Sequence, residues 1–332
     1  MNLRIPVLAR AVAALPLIGA PPALAQRNLG VAMRRALILI GLMALIAITP
    51  LASAEEVYSH ALPPAGKDLS FPASPQPFGF AKANRMFKPD GPGPFPGLVI
   101  LPTCGGHAKW RHSFDLWAKA ALDRGYAVLV VDPLTPRGIG GENCAPPVKV
   151  GSSRFRKDAF DAAEHLRKQP FVDRERIGLL GLSLGAMAGL GAADPSHATP
   201  HGRAAFRAIV SIYPICFMAN VRWPGVKQPI DIRWLPDKIV VPLQVQLGDL
   251  DTEAPPKDCV PRLEQQKSKG APVEFIIHKG ATHSWDEATL GKGAFRKKGF
   301  VGQDIVYRYN PEVAAESVKR AFDFLDRHVK GK

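Results

Sequence analysis

Metal-binding spacing is missing from this chain. It holds four cysteines and nine histidines, but no C-x-x-C pair and no His-rich stretch, so the usual zinc sites are excluded and no metal is expected. No internal repeat is visible, which sets aside solenoid and propeller architectures. Acidic residues are absent from the first 54 positions, which carry five arginines and long apolar runs. The run Ala36 to Thr49 stops at Pro50, short of the ~20 residues that span a bilayer, so no stable membrane anchor is expected. No cysteine lies near Ala54, which argues against a lipidated amino terminus. The net charge is +14, yet outside Lys292–Lys298 the Lys and Arg residues are dispersed. Dispersed charge makes a solvated surface, so no nucleic-acid partner is expected.

What the first 54 residues do contain is two export-like segments in tandem. One runs from Met1 to about Ala25. The second has Met33-Arg34-Arg35 as charged region, Ala36 to Thr49 as apolar core and Ala52-Ser53-Ala54 as a small-residue cleavage site. The expectation is a signal peptide over 33–54, with 1–32 an upstream extension, and an exported, periplasmic or secreted protein starting at Glu55. Translation from Met1 or from Met33 is left open. Residues 55–94 are rich in Pro and Gly and predict a loose lead-in with edge strands. Residues 95–332 are long enough for one large α/β domain.

From Gly97 on, short apolar runs alternate with helical patterns, which predicts a mostly parallel central sheet with helices on both faces. The expected strands are Gly97–Leu101, Tyr126–Val131, Ile177–Gly181, Ala208–Ile212, Leu243–Leu247 and Val273–Ile277. The expected helices are Phe114–Arg124, Lys157–Lys168, one after Ser183, and Pro311–Val329. An exported chain with an even cysteine count predicts disulfides. Cys104, Cys144, Cys216 and Cys259 each follow a strand, which puts them at the carboxyl end of the sheet and favours Cys104–Cys144 and Cys216–Cys259. Four reduced, buried thiols are the alternative.

The most informative stretch is Gly181-Leu182-Ser183-Leu184-Gly185, between an apolar strand and a run of small residues able to start a helix. Strand, G-x-S-x-G, helix is the nucleophile elbow of α/β hydrolases, a sharp turn that holds the serine hydroxyl out at the sheet's carboxyl end. A serine hydroxyl needs a base, and the base a carboxylate to steer it. Downstream, in the order such enzymes use, come Asp249 and Asp251 past one strand, and His283 past the last. His283 is the better base, with His278 a packing or surface residue. Asp251 is the favoured acid and Asp249 the alternative acid, unless Asp249, closer to the strand, caps the turn instead. Asp286 reads as a helix N-cap or surface residue. The developing oxyanion needs donors. The backbone N–H of Leu184 is one candidate and that of Cys104, in Pro102-Thr103-Cys104-Gly105-Gly106, the other.

With these residues on the page, the chain resembles the dienelactone hydrolase family from about Phe95 to His328. The resemblance rests on the approach from Asp173 to the elbow, on Gly248-Asp249-Leu250-Asp251 and on Gly280-Ala281-Thr282-His283. It rests also on Asp132-Pro133-Leu134-Thr135-Pro136-Arg137, on Tyr213-Pro214-Ile215-Cys216 and on Tyr307-Arg308-Tyr309-Asn310-Pro311. It implies an α/β-hydrolase fold and a Ser183–His283–Asp251 triad. The founding members use a cysteine nucleophile, so cleavage of dienelactone itself is not implied. Many relatives have His-Gly where this chain has Pro102-Thr103. Arg137 is a candidate for a substrate carboxylate or for a structural pairing with a loop carbonyl. Trp285 is a candidate wall of the acyl pocket or a packing residue. Loops Pro133–Val150 and Met218–Lys238, with Trp223 and Trp234, are the expected cover of the site. The function expected is hydrolysis of a small carboxylic ester or lactone through an acyl-enzyme, without cofactor. A thioesterase, a small-peptide hydrolase and a non-catalytic binding protein are the alternatives. Nothing in the sequence specifies the oligomeric state.

Overall fold

The computed structural model describes residues 56–58, 66–76, 78, 84–109, 111–145, 147–197, 205–222, 227–299 and 302–331. The two export-like segments and Trp223 lie outside them. In chain order the strands are β1 (Glu56–Tyr58), β2 (Arg85–Phe87), β3 (Phe95–Leu101), β4 (Ala127–Val130), β5 (Val172–Leu182), β6 (Ala208–Ile212), β7 (Phe217–Val221), β8 (Ile230–Arg233), β9 (Leu243–Gly248), β10 (Val273–His278), β11 (Phe295–Lys298) and β12 (Asp304–Tyr307). The main helices are α1 (Arg111–Asp123), α2 (Ser152–Arg167), α3 (Leu184–Ala192), α4 (Pro256–Ser268) and α5 (Pro311–Leu325), the last running into a π-helical turn at Asp326–Lys330.

Seven strands form the central sheet in the order β10-β9-β6-β5-β3-β4-β2. All pairs are parallel except the edge pair β2–β4. The inner strands are apolar on both sides because helices cover both. Along β3 the side chains alternate. Leu98 and Ile100 join a cluster with Phe114 and Trp117 of α1 and Phe322 and Leu325 of α5. Val99 and Leu101 join another with Phe155 and Leu166 of α2, Leu190 of α3 and Leu263 of α4. Among the described residues, no helix is long and apolar enough to cross a membrane.

Three local outcomes differ from the sequence expectation. Helix α2 starts at Ser152 rather than Lys157, because Ser152, Ser153, Arg154 and Phe155 are all buried and so extend its packed face by a turn. Helix α4 was not anticipated: Pro261 lies inside it and its sequence is mostly polar. It forms because Cys259, Leu263 and Gln266 share its one buried face. The stretch Met218–Lys238, expected as loop, holds most of β7 and all of β8, and β8 pairs with β7 on one side and β1 on the other in a separate three-stranded sheet. Helix α5 begins as its sequence suggests, with Pro311 in the first turn and the Asn310 side chain accepting from the Val313 N–H at 3.1 Å.

Trp117 is fully buried between α1 and α5, and its Nε1 donates to Asp286 Oδ2 at 2.7 Å. Trp117→Ala is expected to lower the unfolding free energy by about 3–5 kcal/mol through the cavity alone. Trp117→Phe, which loses chiefly the N–H, should cost about 1–3 kcal/mol. Urea denaturation of both variants measures this.

Candidate active site

Ser183 stands between β5 and α3 with φ 50° and ψ −110°, a conformation that side chains rarely adopt. The turn is held by main-chain bonds. The Ser183 N–H donates to the Ile212 carbonyl at 3.0 Å and the Gly185 N–H to the Pro102 carbonyl at 2.9 Å. A Cβ on Gly181 would come within 2.2 Å of the Gly185 carbonyl oxygen, and one on Gly185 within 2.5 Å of the Pro102 oxygen. Only glycine fits either position.

His283 is buried in the loop after β10, its Nε2 3.0 Å from Ser183 Oγ and its Nδ1 2.7 Å from Asp251 Oδ2. The neighbours fix the tautomer. A carboxylate only accepts, so Nδ1 carries the proton and Nε2 is left to accept from the serine hydroxyl. Asp251 is itself steered: its Oδ1 accepts from the N–H groups of Glu253 at 2.9 Å and Ala254 at 2.8 Å. Asp249 accepts from the Gly280 N–H at 2.7 Å and so ties the acid loop to the histidine loop. His278 is buried and its Nε2 meets Gln246 Oε1 at 2.7 Å, away from the serine. Burial alone would lower the pKa of His283. The carboxylates of Asp251 and Glu253 outweigh it and hold the imidazole above its ordinary value.

The cavity beside Ser183 is small, about 10 Å³, and is lined by Thr103, Cys104, Cys144, Glu253, His283, Ser284, Lys297 and Tyr307 as well as the serine. The cysteines pair as Cys104–Cys144 and Cys216–Cys259, with Cα atoms 4.9 and 5.1 Å apart. The first bridge therefore forms part of the cavity wall. Leu184 is the first residue of α3, where main-chain N–H groups have no intrahelical acceptor and face outward. No cluster of His, Cys, Asp or Glu suited to a metal ion occurs among the described residues.

Several sequence candidates lie elsewhere. Arg137 uses all five of its donors internally. Nη1 and Nη2 donate to Asp158 at 2.7 and 2.8 Å and to the carbonyls of Pro133 and Lys67, and Nε also donates to Lys67. These are the bonds of the structural alternative rather than of a substrate site. Arg137 borders a different cavity, of about 380 Å³, with Gly66, Lys67, Ile139, Lys149 and Val150. Trp285 does not line the serine cavity. It is fully buried and meets the Tyr213 ring edge-on at 4.9 Å. Asp286 is neither cap nor surface residue: it is fully buried and accepts from Trp117 Nε1 at 2.7 Å and the Tyr213 hydroxyl at 2.8 Å. That fixes Tyr213, whose ring packs 4.8 Å from the His283 ring. The neighbouring Glu287 caps the short turn at Ala288–Leu290 instead. Trp234 is buried with its Nε1 donating to Ser152 Oγ at 3.0 Å, so it does not cover the site. The cavity is lined by Cys144, within the expected loop Pro133–Val150, and by Lys297 and Tyr307 of the β11–β12 hairpin, which was not expected there.

Sequence reasoning missed Glu253, Lys297 and Tyr307 as site residues. The signals were present. Glu253 stands two residues after Asp251, Lys297 lies in the basic run, and Tyr307 opens a motif already noted. Arg137→Met removes the paired bonds to the buried Asp158 carboxylate but leaves it Arg154, whose Nε lies 3.1 Å from Oδ1, so the protein should be destabilised by about 1.5–3 kcal/mol. KM for a neutral ester should stay unchanged. Thermal denaturation and steady-state kinetics check the two halves.

The model of the dienelactone hydrolase family matches residues 83–329. Among solved structures, a Klebsiella pneumoniae protein that bears the name dienelactone hydrolase is 14% identical. It superimposes with a TM-score of 0.53 over 74% of this chain and 92% of its own. Thermogutta terrifontis esterase 2, phosphonylated by cyclosarin, is 17% identical, with a TM-score of 0.50 over 73% of this chain and 87% of its own. Both likenesses are of fold. The human acylamino-acid-releasing enzyme is 21% identical over 226 residues, 60% of this chain but only 30% of that enzyme.

Proposed function

Because the chain belongs to the dienelactone hydrolase family, we propose that it is a hydrolase acting on ester bonds, which cleaves a small carboxylic ester or lactone with Ser183 as nucleophile, through an acyl-enzyme. The observation that carries this reading is the unbroken line from Ser183 Oγ through the His283 ring to Asp251, at 3.0 and 2.7 Å. His283 Nε2 takes the serine proton as Oγ attacks the carbonyl carbon. Asp251 holds the ring and stabilises the imidazolium. The N–H groups of Leu184 and Cys104 receive the oxyanion. Collapse of the tetrahedral intermediate expels the alcohol, or opens the lactone, with the proton returned from Nε2. A water then gives a proton to Nε2 as it attacks the acyl carbon, and collapse of the second tetrahedral intermediate breaks the bond to Oγ, which takes that proton back from Nε2 as the acid leaves. No cofactor enters any step. Export fits the two disulfides, which persist in oxidising compartments.

Cleavage of a small acylated peptide is a second reading, favoured by the partial likeness to the acylamino-acid-releasing enzyme. It uses the same groups, and matched ester and amide substrates separate the two.

A fluorophosphonate probe on the purified protein is expected to modify Ser183 stoichiometrically, as mapped by mass spectrometry. Ser183→Ala should abolish labelling and His283→Ala slow it by about 10³-fold or more. Because Nε2 must be unprotonated and its pKa is raised, the labelling rate should climb with pH through a midpoint above the ordinary histidine value. Absence of labelling in folded protein would move the assignment to a binding protein on a hydrolase fold.

The wall formed by Cys104 and Cys144 gives one more expectation. Cys144→Ala leaves the Cys104 loop untethered beside Ser183, and kcat should fall at least about tenfold with little change in KM, as one misdirected oxyanion donor does. Steady-state kinetics on a variant with unchanged circular dichroism decides it.

A further inference from the structure

A second carboxylate faces the imidazole from the side opposite Asp251. Glu253 Oε2 lies 3.6 Å from His283 Nε2, the nitrogen that meets Ser183 Oγ at 3.0 Å. The Glu253 side chain is almost wholly buried, at 7% exposure. Its two oxygens are each held by the hairpin: Lys297 Nζ lies 3.1 Å from Oε1, and the Tyr307 hydroxyl donates to Oε2. The hairpin is anchored in turn. Thr252 Oγ1 donates to the Asp304 carbonyl at 2.7 Å, and Tyr307 bridges His283 in the main chain.

We propose that Glu253 is a positioning residue for the hydrolytic reaction: held back by Lys297 and Tyr307, it stabilises the charged form of His283 through space without taking its proton. The proposal rests on the serine-hydrolase reading above. Distance decides the role. At 3.6 Å Glu253 is outside hydrogen-bond reach of Nε2, whereas Ser183 at 3.0 Å is within it. The proton therefore travels between serine and histidine, while the nearby negative charge favours the imidazolium that forms in between. Were Glu253 free to close the gap, it would compete with Ser183 for Nε2. The lysine and the tyrosine prevent that.

The groups facing His283 come from every element packed on it. They are Asp251 and Glu253 after β9, Lys297 on β11, Tyr307 on β12, Tyr213 after β6 and Ser183 before α3. Of these, Asp251 and Glu253 favour the charged ring and Lys297 opposes it. Burial would raise the Glu253 carboxyl, but His283, Lys297 and the Tyr307 hydroxyl hold it below the ordinary range. It is thus ionised wherever His283 titrates.

Two substitutions should act in opposite directions. The measurements are the acid limb of kcat/KM for p-nitrophenyl acetate and the NMR titration of the His283 ring, recognised by its loss in His283→Gln. Glu253→Gln keeps the shape and removes the charge, so both midpoints should move down by about one pH unit, with kcat at the plateau reduced. Lys297→Met removes the opposing cation, so both midpoints should move up. A purely structural cluster would lower activity in both variants and leave the ring titration in place. That result, or shifts of the same sign, overturns the proposal. If the wild-type protein neither hydrolyses esters nor labels at Ser183, the serine-hydrolase reading fails on its own, because the ring titration still reports on Glu253.

Discussion

Around Ser183 three stretches of main chain come closer together than any side chain would allow. The end of β5, the first turn of α3 and the loop after β3 meet where Gly185 donates to the Pro102 carbonyl. A Cβ on either elbow glycine would press into main-chain atoms, which cannot step aside as a flexible side chain can. This contact sets the direction of α3, the place of the Leu184 N–H at its start and the position of Cys104 relative to the serine. It also forces Ser183 into its strained backbone conformation, which the surrounding sheet over-determines. The rest of the site is arranged about that fixed hydroxyl.

The parallel sheet delivers the remaining groups to the same end. Strands β6, β9 and β10 follow β5 outward in order, and each ends in a loop that contributes: Tyr213 after β6, Asp251 and Glu253 after β9, His283 after β10. Adjacent loops brace one another. The Leu250 N–H donates to the Ala281 carbonyl at 3.0 Å, and Asp249 receives the Gly280 N–H. Asp249 and Asp251 thus divide the work within one short loop, one carboxylate locking the loops together and the other meeting the imidazole. Beneath the ring, no ion pair to Asp286 occurs among the described residues. It is satisfied by the indole of Trp117 and the phenol of Tyr213, which fix the aromatic floor on which His283 rests.

The fold was legible because its signals are local. Apolar runs of strand length, the glycine spacing at the elbow and the chain order of serine, acid and histidine can each be read within a few residues. The cysteine pairs followed from strand order. What escaped reading depends on partners far along the chain. Asp286 meets donors 169 and 73 residues away, and nothing near it in sequence marks it as buried. The hairpin is hidden for another reason. Strand β11 reads Phe-Arg-Lys-Lys and is mostly exposed, so it has no apolar alternation to betray it. Among the described residues it pairs only with β12, and its role comes through Lys297 and Tyr307, which meet Glu253 from 44 and 54 residues away. Arg137 shows the converse limit: its motif was visible, but its partner Asp158 lies on α2, and only the folded chain shows that every donor is used.

As the general base of the proposed mechanism, His283 faces a conflict that this arrangement resolves. His283 must be neutral before the reaction, yet its charged form must be cheap to reach during it. One buried carboxylate on Nδ1 favours the charged form, and two would favour it so strongly that the ring would rest protonated and could not accept the serine proton. Glu253 brings that second negative charge within 3.6 Å of Nε2. Lys297, 3.1 Å from Glu253, offsets it and lowers the basicity of His283 directly. The Tyr307 hydroxyl satisfies the carboxylate oxygen nearest the ring without adding charge. The balance of two carboxylates against one ammonium is thus set by a hairpin outside the central sheet. A change in that hairpin can retune the working pH of the base while the sheet, the elbow and the Asp251–His283 bond stay as they are.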